Sequence, residues 1–437
     1  MDEKSTSSAY DTSGNNSILT ATGITSSDIV PGKIGSAYYY HTWPQYHTGA
    51  SVNICGTSTM EAWVYPLSSP SERYTVIIQN GTSPQYLSIN SDNSVNAYWY
   101  GKSVEGYHSS GAGTVPNKTW THIATTWDAN GVNLYVNGVL KNSVASTGTP
   151  CTGTNLIIGA ENSGRQMNGY IDQAKIYDYA RTPAQVAHDY NRGGPVGQWK
   201  FDECQGTVAN DSSGKGNNGT IMIGGTAPQT SAGTCTTSGT AWGNGAAGKF
   251  SPSLNLDGAD DYVTITDPPG GELDFGTGDV SMSAWIKHSA SLGSSWDAAI
   301  FSKWGASAGY FFSVRTNSDP TNAGKLNFGI RDNGTTWAEG KSNSTVNDNI
   351  WHHVVVVADR STSATFYIDG KPNGSFDISG QPGSLDNSVN PTIGLLNSYF
   401  NGQIDDVRVY NYPLTPTQIK TIYNNGAVNY GPATGTP

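Results

Sequence analysis

"NKTWTHIATTWDANGVNLYVNG", residues 117–138, and "NDNIWHHVVVVADRSTSATFYIDG", residues 347–370, are two versions of one pattern. In each, apolar residues recur at every second position after a tryptophan, and an Asn-Gly or Asp-Gly turn closes the run. Period-two alternation with such turns predicts β-hairpins that rest one face on a core. The four valines at 354–357 are apolar on both faces and predict a central strand.

The repeat extends over the whole chain. "MEAWVYP" at 60–66 matches "MSAWIKH" at 282–288, and "NGYIDQAKIYDYARTPAQVAHDYN" at 168–191 matches "NGQIDDVRVYNYPLTPTQIKTIYN" at 401–424. The offset between matched residues rises from 200 at Asp2/Asp202 to 233 at Asp172/Asp405, which indicates one fold copied with loop insertions in the second copy. Each Thr-Pro pair predicts the start of a short helix after the last strand. We predict domains at 1–194 and 195–426, followed by a tail at 427–437.

Composition and charge narrow the class of protein. Only 13% of the residues are charged and glycine is abundant, which favours short strands joined by polar turns. A net charge of -11 argues against nucleic acid or an anionic membrane as partner. No signal peptide is recognisable and no apolar run approaches 18 residues, so we expect a mature or truncated form without membrane insertion.

Cysteines and glycosylation sequons fit an extracellular or cell-surface setting. We predict one disulfide per copy, Cys55–Cys151 and Cys204–Cys235; the alternative is four free buried thiols. Asn-X-Ser/Thr sequons, several of which arise from composition alone, begin at Asn15, Asn80, Asn117, Asn210, Asn218, Asn333, Asn343 and Asn373.

These motifs together resemble the laminin G-like, concanavalin A-like jelly-roll family in two tandem copies. The pattern W-x-H-[IV], then [LF]-Y-[VI]-[ND]-G, then I-D-x-[AV]-[KR]-[IV]-Y and a Thr-Pro helix carries the resemblance. It implies an all-β fold of two antiparallel jelly-roll β-sandwiches, often with bound calcium, and roles from glycan binding to adhesion. The fold alone does not select among these roles.

Catalysis is not expected. A glycosidase needs two carboxylates roughly 5 to 10 Å apart. Glu272 and Asp274 in "GELDFGTGD" are the nearest candidates, but glycines flank them and a rim loop is the better interpretation. The first copy has no counterpart of this segment.

Calcium is the candidate cofactor, because acidic and amide oxygens cluster on turns near the strand ends. The predicted ligands are Asp202, Asp211, Asn217 and Asp405 in the second copy and Asp2, Asp11 and Asp172 in the first. The alternative is a metal-free Asx-turn. A further acidic turn, with Asp257, Asp260 and Asp261, occurs in the second copy alone.

Aromatic residues suggest a carbohydrate site in the first copy. Trp43 and Tyr46 lie in a predicted loop, and Trp99 lies in the aromatic run "AYWY". A sugar ring stacks on such rings through its C–H groups. The alternative is that these side chains point into the core or into the contact between the two copies.

The first strand distinguishes the two copies. "VGQWKF", residues 196–201, supplies it in the second copy, and the first copy starts too late to contain it, so we expect an uncovered sheet edge there. The tail segment Ala427, Val428, Asn429 and Tyr430 aligns with residues 195–198. Strand donation from one molecule to the next would build a head-to-tail homopolymer. Three alternatives are a tail that folds back, a chain cut from a longer one, and a first copy that tolerates a shorter sheet.

Two functions follow from these observations. The first is a non-enzymatic structural or adhesive extracellular protein that assembles into a filament. The second is a carbohydrate-binding, lectin-like module, either alone or as an accessory part of a larger secreted protein.

Overall fold

The computed structural model describes residues 5–13, 15, 17–50, 57–81, 84–99, 106–145, 153–161, 165–268, 271–289, 296–332, 334 and 336–424. The chain forms two compact units, residues 1–192 and 193–437. Each is a sandwich of two antiparallel sheets, as the alternation predicted.

The first unit contains fifteen named strands and one α-helix within the described residues. Its elements are β1 (Ser8–Ala9), β2 (Leu19–Thr22), β3 (Ile29–Pro31), β4 (Ser36–Tyr40), β5 (Tyr46–Ala50), β6 (Ser58–Pro66), β7 (Arg73–Gly81), β8 (Gln85–Asn90), β9 (Val95–Trp99), β10 (Gly106–Ser109), β11 (Thr121–Trp127), β12 (Gly131–Val136), β13 (Val139–Ala145), β14 (Gly153–Ile158), β15 (Gly169–Tyr177) and α1 (Pro183–Asn191), with a 3-10 turn at Ser26–Asp28. One sheet has the order β1-β2-β5-β14-β7-β8-β9-β10, and the other β13-β12-β11-β6-β15-β4-β3.

The core of the first unit lies between these sheets. On β6, Met60, Ala62 and Val64 face it and are fully buried. The helix α1 begins at the predicted Thr-Pro pair, where the Thr182 side chain accepts a hydrogen bond from the Gln185 backbone. Helix α1 covers the outer face of the sheet by packing Val186 against β11 and β12.

The second unit repeats this plan. Its elements are β16 (Gly197–Trp199), β17 (Val208–Ala209), β18 (Gly219–Met222), α2 (Ala241–Asn244), β19 (Leu254–Asp257), β20 (Tyr262–Ile265), β21 (Val280–His288), β22 (Asp297–Trp304), β23 (Ala308–Arg315), β24 (Lys325–Asp332), β25 (Ala338–Thr345), β26 (His352–Asp359), β27 (Ser363–Ile368), β28 (Lys371–Asp377), β29 (Thr392–Ile393), β30 (Asn401–Tyr410) and α3 (Pro416–Tyr423). One sheet has the order β16-β30-β21-β26-β27-β28, with β19 also on β30, and the other β17-β18-β20-β29-β22-β23-β24-β25.

The valine run at 354–357 occupies β26, between β21 and β27, and all four residues are buried. This is the central strand that the sequence predicted. Trp199 of β16 is also fully buried and stacks on Phe301, with 5.7 Å between ring centroids.

The closing strands β15 and β30 have different partners. In the second unit, β16 pairs with β30 over residues 407–409, and Val407 and Val409 are at most 1% exposed. Their counterparts Ala174 and Ile176 on β15 are half-buried, and on the edge away from β6 no strand within the described residues pairs with β15 beside them. Among the residues that the structure describes, the first unit therefore presents an open backbone edge where the second has a strand. The tail residues Ala427 to Tyr430, and Asp2, lie outside the described residues.

Candidate functional site

A row of apolar side chains crosses the outer face of the first unit's eight-stranded sheet, where Ile78, Tyr86 and Ile157 are at most 6% exposed. The register places Ile157 of β14 opposite Ile78 of β7, Ile78 opposite Tyr86 of β8, and Tyr86 opposite Tyr98 of β9. Tyr46 of β5 joins them. This row, Tyr46–Ile157–Ile78–Tyr86–Tyr98, faces away from the core, because its neighbours along each strand face the core. It is called the aromatic row below.

Trp43 extends the aromatic row at the β5 end. It lies in the loop between β4 and β5, is 52% exposed, and its ring centroid is 6.0 Å from that of Tyr46. The sequence left two interpretations of these aromatics, a surface site or a buried contact. The structure places Trp43 and Tyr46 together on a surface. The Trp99 side chain lies outside the described part of the structure.

The loop that carries Trp43 is held from beneath by a buried polar cluster. The Gln45 side chain accepts hydrogen bonds from the backbone N–H groups of His41 and Thr42, and donates one of 3.1 Å to Asp28. His41 Nε2 lies 2.9 Å from the other Asp28 oxygen. These contacts fix the position of Trp43 before any ligand binds.

The opposite end of the aromatic row is a parallel tyrosine pair. The Tyr86 and Tyr98 rings are 5.1 Å apart and inclined by 10°. Arg73 lies 4.3 Å from the centre of the Tyr86 ring, donates to its hydroxyl at 2.8 Å and pairs with Glu161. At this end of the aromatic row, the Arg73 charge is therefore already neutralised by Glu161.

The predicted calcium ligands of the Asp211 turn have protein partners. Asp211 accepts hydrogen bonds of 2.9 Å from the backbone N–H groups of Gln198, Ser213 and Asn217. The Asn217 side chain donates to the Val196 carbonyl. In the first unit, Asp11 likewise accepts from the backbones of Ser13 and Ser17. The Asp211 turn therefore anchors β16.

Asp172 and Asp405 each clamp a Gly-Lys loop. Asp172 accepts from the Ile34 backbone at 2.8 Å, and Asp405 from the Lys249 backbone at 2.8 Å. Burial raises the pKa of Asp405 to about 7. Asp202 is exposed. The predicted ligand set is thus divided between separate structural roles, and calcium stays a prediction.

The second acidic turn does bring its carboxylates together. Within the described residues, Asp257, Asp260 and Asp261 are the group whose oxygens all lie within 4.8 Å of one another. Asp261 is fully buried, accepts hydrogen bonds from Gln229 and the Gly224 backbone, and has its pKa raised by burial to about 6.

A charged network on the open face of the second unit was not predicted. Arg315 Nη1 lies 2.7 Å from Asp297 and 3.0 Å from Glu339, and the Asn327 side chain donates to both carboxylates. Exposed tryptophans flank the network, Trp296 at 55% and Trp337 at 53%. In the sequence, the signal that could have revealed this network is the polar residues at alternate positions of β23, β24 and β25.

A laminin G model of the concanavalin A-like lectin/glucanases superfamily matches residues 40–187 and 257–420. The chain belongs to this superfamily. Comparison with curated proteins gives no match.

Three solved structures illustrate the range of similar folds. Domains LG4-5 of the mouse laminin alpha1 chain are 10% identical, with 87% of this chain and 90% of that chain covered and a TM-score of 0.29. The binding domain of Paraclostridial Mosquitocidal Protein 1 is 16% identical with a TM-score of 0.40, and the match covers 54% of this chain and 52% of that one. The match thus spans about half of that toxin domain. The CBM40 of a Ruminococcus gnavus sialidase, bound to sialyllactose, is 14% identical with a TM-score of 0.31, and 39% of this chain and 96% of that chain are covered.

One of the two carboxylates considered for catalysis, Asp274, has a structural partner in the second laminin G-like unit. The fully buried Lys303 ammonium lies 2.7 Å from Asp274 and 2.7 Å from Asp267. Asp274 therefore neutralises the buried Lys303 cation, because an unpaired charge in that position would be strongly destabilising.

The predicted disulfide Cys204–Cys235 is present in the second laminin G-like unit. Cys55 and Cys151 lie outside the described residues, as do Asn333 and the Asn80 side chain. The sequon asparagines Asn15, Asn117, Asn210, Asn218 and Asn343 are exposed, and Asn373 is half-buried. Among the residues described, no helix has both the length and the apolar character needed to cross a bilayer.

Proposed function

We propose that this chain is a non-enzymatic extracellular protein that binds carbohydrate at the Trp43 loop of its first laminin G-like unit. The observation that carries the proposal is the exposed Trp43 ring, fixed 6.0 Å from Tyr46 at the end of the aromatic row. Pyranose rings stack their C–H faces on such rings. Because Ile78, Tyr86 and Ile157 are buried, the contact surface is supplied by Trp43 and the half-buried Tyr46.

Polar groups beside Trp43 complete the chemistry. His41 and Thr42 precede it in the loop and are exposed, so their side chains can bond sugar hydroxyls while the ring stacks. The acid beneath the loop, Asp28, is engaged by His41 and Gln45, and Glu161 at the far end of the aromatic row is engaged by Arg73. This arrangement supports binding rather than acid–base catalysis, which requires two available carboxylates.

The extracellular setting is part of the proposal. It is supported by the Cys204–Cys235 disulfide and by sequons with exposed asparagines such as Asn117 and Asn343. Disulfides persist in oxidising compartments.

Affinity electrophoresis through gels that contain neutral polysaccharides tests the carbohydrate site. We expect retardation of the wild-type chain in at least one gel and loss of at least ten-fold in affinity for Trp43→Ala, which corresponds to about 1.4 kcal/mol. Trp296→Ala, a substitution of an equally exposed tryptophan in the other unit, is the matched control. No retardation in any gel, or an equal loss in both variants, overturns the proposal.

The open edge of β15 favours a second function, head-to-tail self-association. In the second unit, the Val196 N–H donates to the Val409 carbonyl at 2.8 Å, and Gln198 donates to Asp406 at 2.8 Å. The counterparts of Val409 and Asp406 in the first unit are Ile176 and Gln173. We propose that residues 427–430 of a second copy occupy this edge by strand addition.

The position that Tyr430 would take supports this occupant. In the alignment Tyr430 replaces Gln198, which contacts Asp406. Gln173, the counterpart of Asp406, lines a cavity of about 320 Å³ together with Trp63 and Lys175. An incoming tyrosine would thus meet a pocket, where the second unit has a closed contact.

Sedimentation velocity tests the self-association. We expect concentration-dependent oligomers for the full chain and monomers after removal of residues 427–437. Val428→Pro removes the N–H that matches that of Val196 and should act like the truncation, whereas Ala433→Pro, beyond the aligned segment, should not. Identical monomers for full and truncated chains overturn this second function without affecting the first.

A further inference from the structure

One arginine of the second unit lies between two tryptophans. The Arg331 guanidinium is 5.8 Å from the Trp304 ring centroid and 5.2 Å from that of Trp337. Trp304 is braced by an edge-to-face contact with Phe311 at 5.1 Å. The register pairs β24 with β25 so that Trp337 lies next to Arg331 on the open face of the sheet. Both contacts are at cation–π distance, so the rings hold the guanidinium in place.

Arg331 differs from most arginines of the chain in its lack of an acidic partner. Arg73, Arg165, Arg181, Arg315 and Arg408 each lie within 4.0 Å of a carboxylate. For Arg331, no described residue places a carboxylate that close. Nη1 donates to the Ala306 carbonyl, and the buried Nε–H finds no partner among the described residues. The positive charge is therefore uncompensated by an ion pair.

The neighbouring acids do not cancel this charge. Asp332 follows in sequence, but it points to the other face, where it accepts from the Gly383 backbone at 2.6 Å. Glu339 shares the open face, yet it is bound by Arg315 at 3.0 Å and Lys341 at 3.6 Å. Arg331 is thus a local positive site on a chain whose net charge is -11.

We propose that Arg331 and Trp337 form a binding site for an acidic sugar, in which the guanidinium pairs with a carboxylate or sulfate group and the indole stacks on the sugar ring. A planar guanidinium matches such anions through parallel N–H donors, and these charge-assisted bonds are the stronger ones. The half-exposed Trp337 ring supplies the stacking surface. Because Trp304, itself braced by Phe311, already flanks Arg331, little side-chain entropy is lost on binding.

This site extends beyond the Trp43 site. It is on the other laminin G-like unit, and charge rather than aromatic area alone selects its ligand. The chain would then recognise two classes of polysaccharide, neutral at Trp43 and acidic at Arg331. A negative result at one site therefore leaves the proposal for the other site unchanged.

Calorimetric titration of the full chain with three defined probes tests the proposal. The probes are an oligogalacturonate, its fully methyl-esterified form and a sulfated oligogalactan of similar length. We expect the acid to bind at least ten-fold more tightly than the neutral ester, with affinity that falls as salt rises. Binding of the sulfated probe in place of the oligogalacturonate would identify sulfate as the anion. Equal affinity for acid and ester, or no binding of either anionic probe, overturns the proposal.

Variants assign the effect to the two residues. Arg331→Gln and Trp337→Ala should each weaken anionic binding at least ten-fold, and Arg331→Lys should lie between Arg331→Gln and wild type because it keeps the charge without the planar fork. Lys341→Gln, on the same face but already paired with Glu339, is the matched control and should bind normally. Trp43→Ala should also bind normally, which separates this result from the neutral-sugar site. Unchanged thermal unfolding of each variant shows that the fold persists, and wild-type affinity in Arg331→Gln contradicts the assignment.

Discussion

The side chain of Asp172 accepts a 2.8 Å hydrogen bond from the backbone N–H of Ile34, which lies 138 residues earlier in the chain. The bond ties the closing strand β15 to the Gly-Lys loop before β4. It leaves room for nothing larger than glycine at position 32, where a Cβ would lie 2.5 Å from the Asp172 carboxylate. Asp405 makes the matching contact with Lys249 in the second unit.

Asp172→Ala should loosen this loop. The amide of the half-buried Ile34 would lose its acceptor, at a cost of about 1 kcal/mol. Hydrogen–deuterium exchange of a peptide that covers residues 32–36 measures the effect, and we expect faster exchange there. Asp178→Ala, an exposed aspartate just after the same strand, is the control. Equal exchange in the two variants would show that the Asp172 hydrogen bond does not stabilise the loop.

Asp405 should make the second unit less stable as pH rises from about 4 to 7. Its pKa is about 7 when folded and near 3.8 when unfolded, so only the folded state holds the proton in that window. Each pH unit costs about 1.4 kcal/mol at full effect. Asp405→Asn should therefore stabilise the unit at pH 8 and change little at pH 4.

Chemical unfolding of both proteins at the two pH values checks this expectation. Asp202→Asn should weaken the pH dependence only slightly, because the charge of this exposed carboxylate is the smallest of the causes that raise the pKa of Asp405. A difference between Asp405→Asn and wild type that stays constant from pH 4 to pH 8 contradicts the assigned pKa.

Loss of the Cys204–Cys235 disulfide should destabilise the second unit. The bridge spans 31 residues, and closure of a loop of that size stabilises a fold by roughly 2–4 kcal/mol. We expect a lower thermal midpoint for Cys204→Ser/Cys235→Ser under oxidising conditions. Because a reductant also acts on Cys55 and Cys151, the variant is the cleaner measurement, and an unchanged midpoint would refute the expected contribution.

If calcium binds to the second unit, we expect it to bind at the turn that contains Asp257, Asp260 and Asp261. Without metal, Asp260→Asn relieves repulsion among three neighbouring carboxylates and should raise the thermal midpoint slightly. With calcium at 100 times its dissociation constant, wild type should gain about 2.7 kcal/mol and Asp260→Asn should gain less. Differential scanning calorimetry with calcium or chelator measures both. Asp211→Asn is the comparison: if it alone abolishes the calcium response, the originally predicted turn is the site.

The fold was predictable because its signals are local. The alternation at 120–127, the valine run at 354–357 and the Thr-Pro pairs each report on the residues that form the element. Their repetition in two copies made the sandwich and its closing helix clear from the chain alone. The disulfide between Cys204 and Cys235 followed from the same division into copies.

The candidate sites were less predictable because each is assembled across strands. Arg331 and Trp304 come from different strands and meet only through the register of the sheet. The calcium prediction assumed that Asp211 and Asp405 would share one ligand shell, whereas backbone N–H groups occupy each carboxylate. Trp43 and Tyr46 were easier, since only two residues separate Trp43 in the loop from Tyr46 at the start of β5.

The open edge of β15 has a lysine at its centre. Lys175 stands between Ala174 and Ile176, and its ammonium group is 3.1 Å from the buried Glu61. A charged side chain in the middle of an unpaired strand edge commonly prevents edge-to-edge aggregation. Replacement of Lys175 by an apolar residue would therefore make concentrated stocks of this protein prone to precipitate on storage.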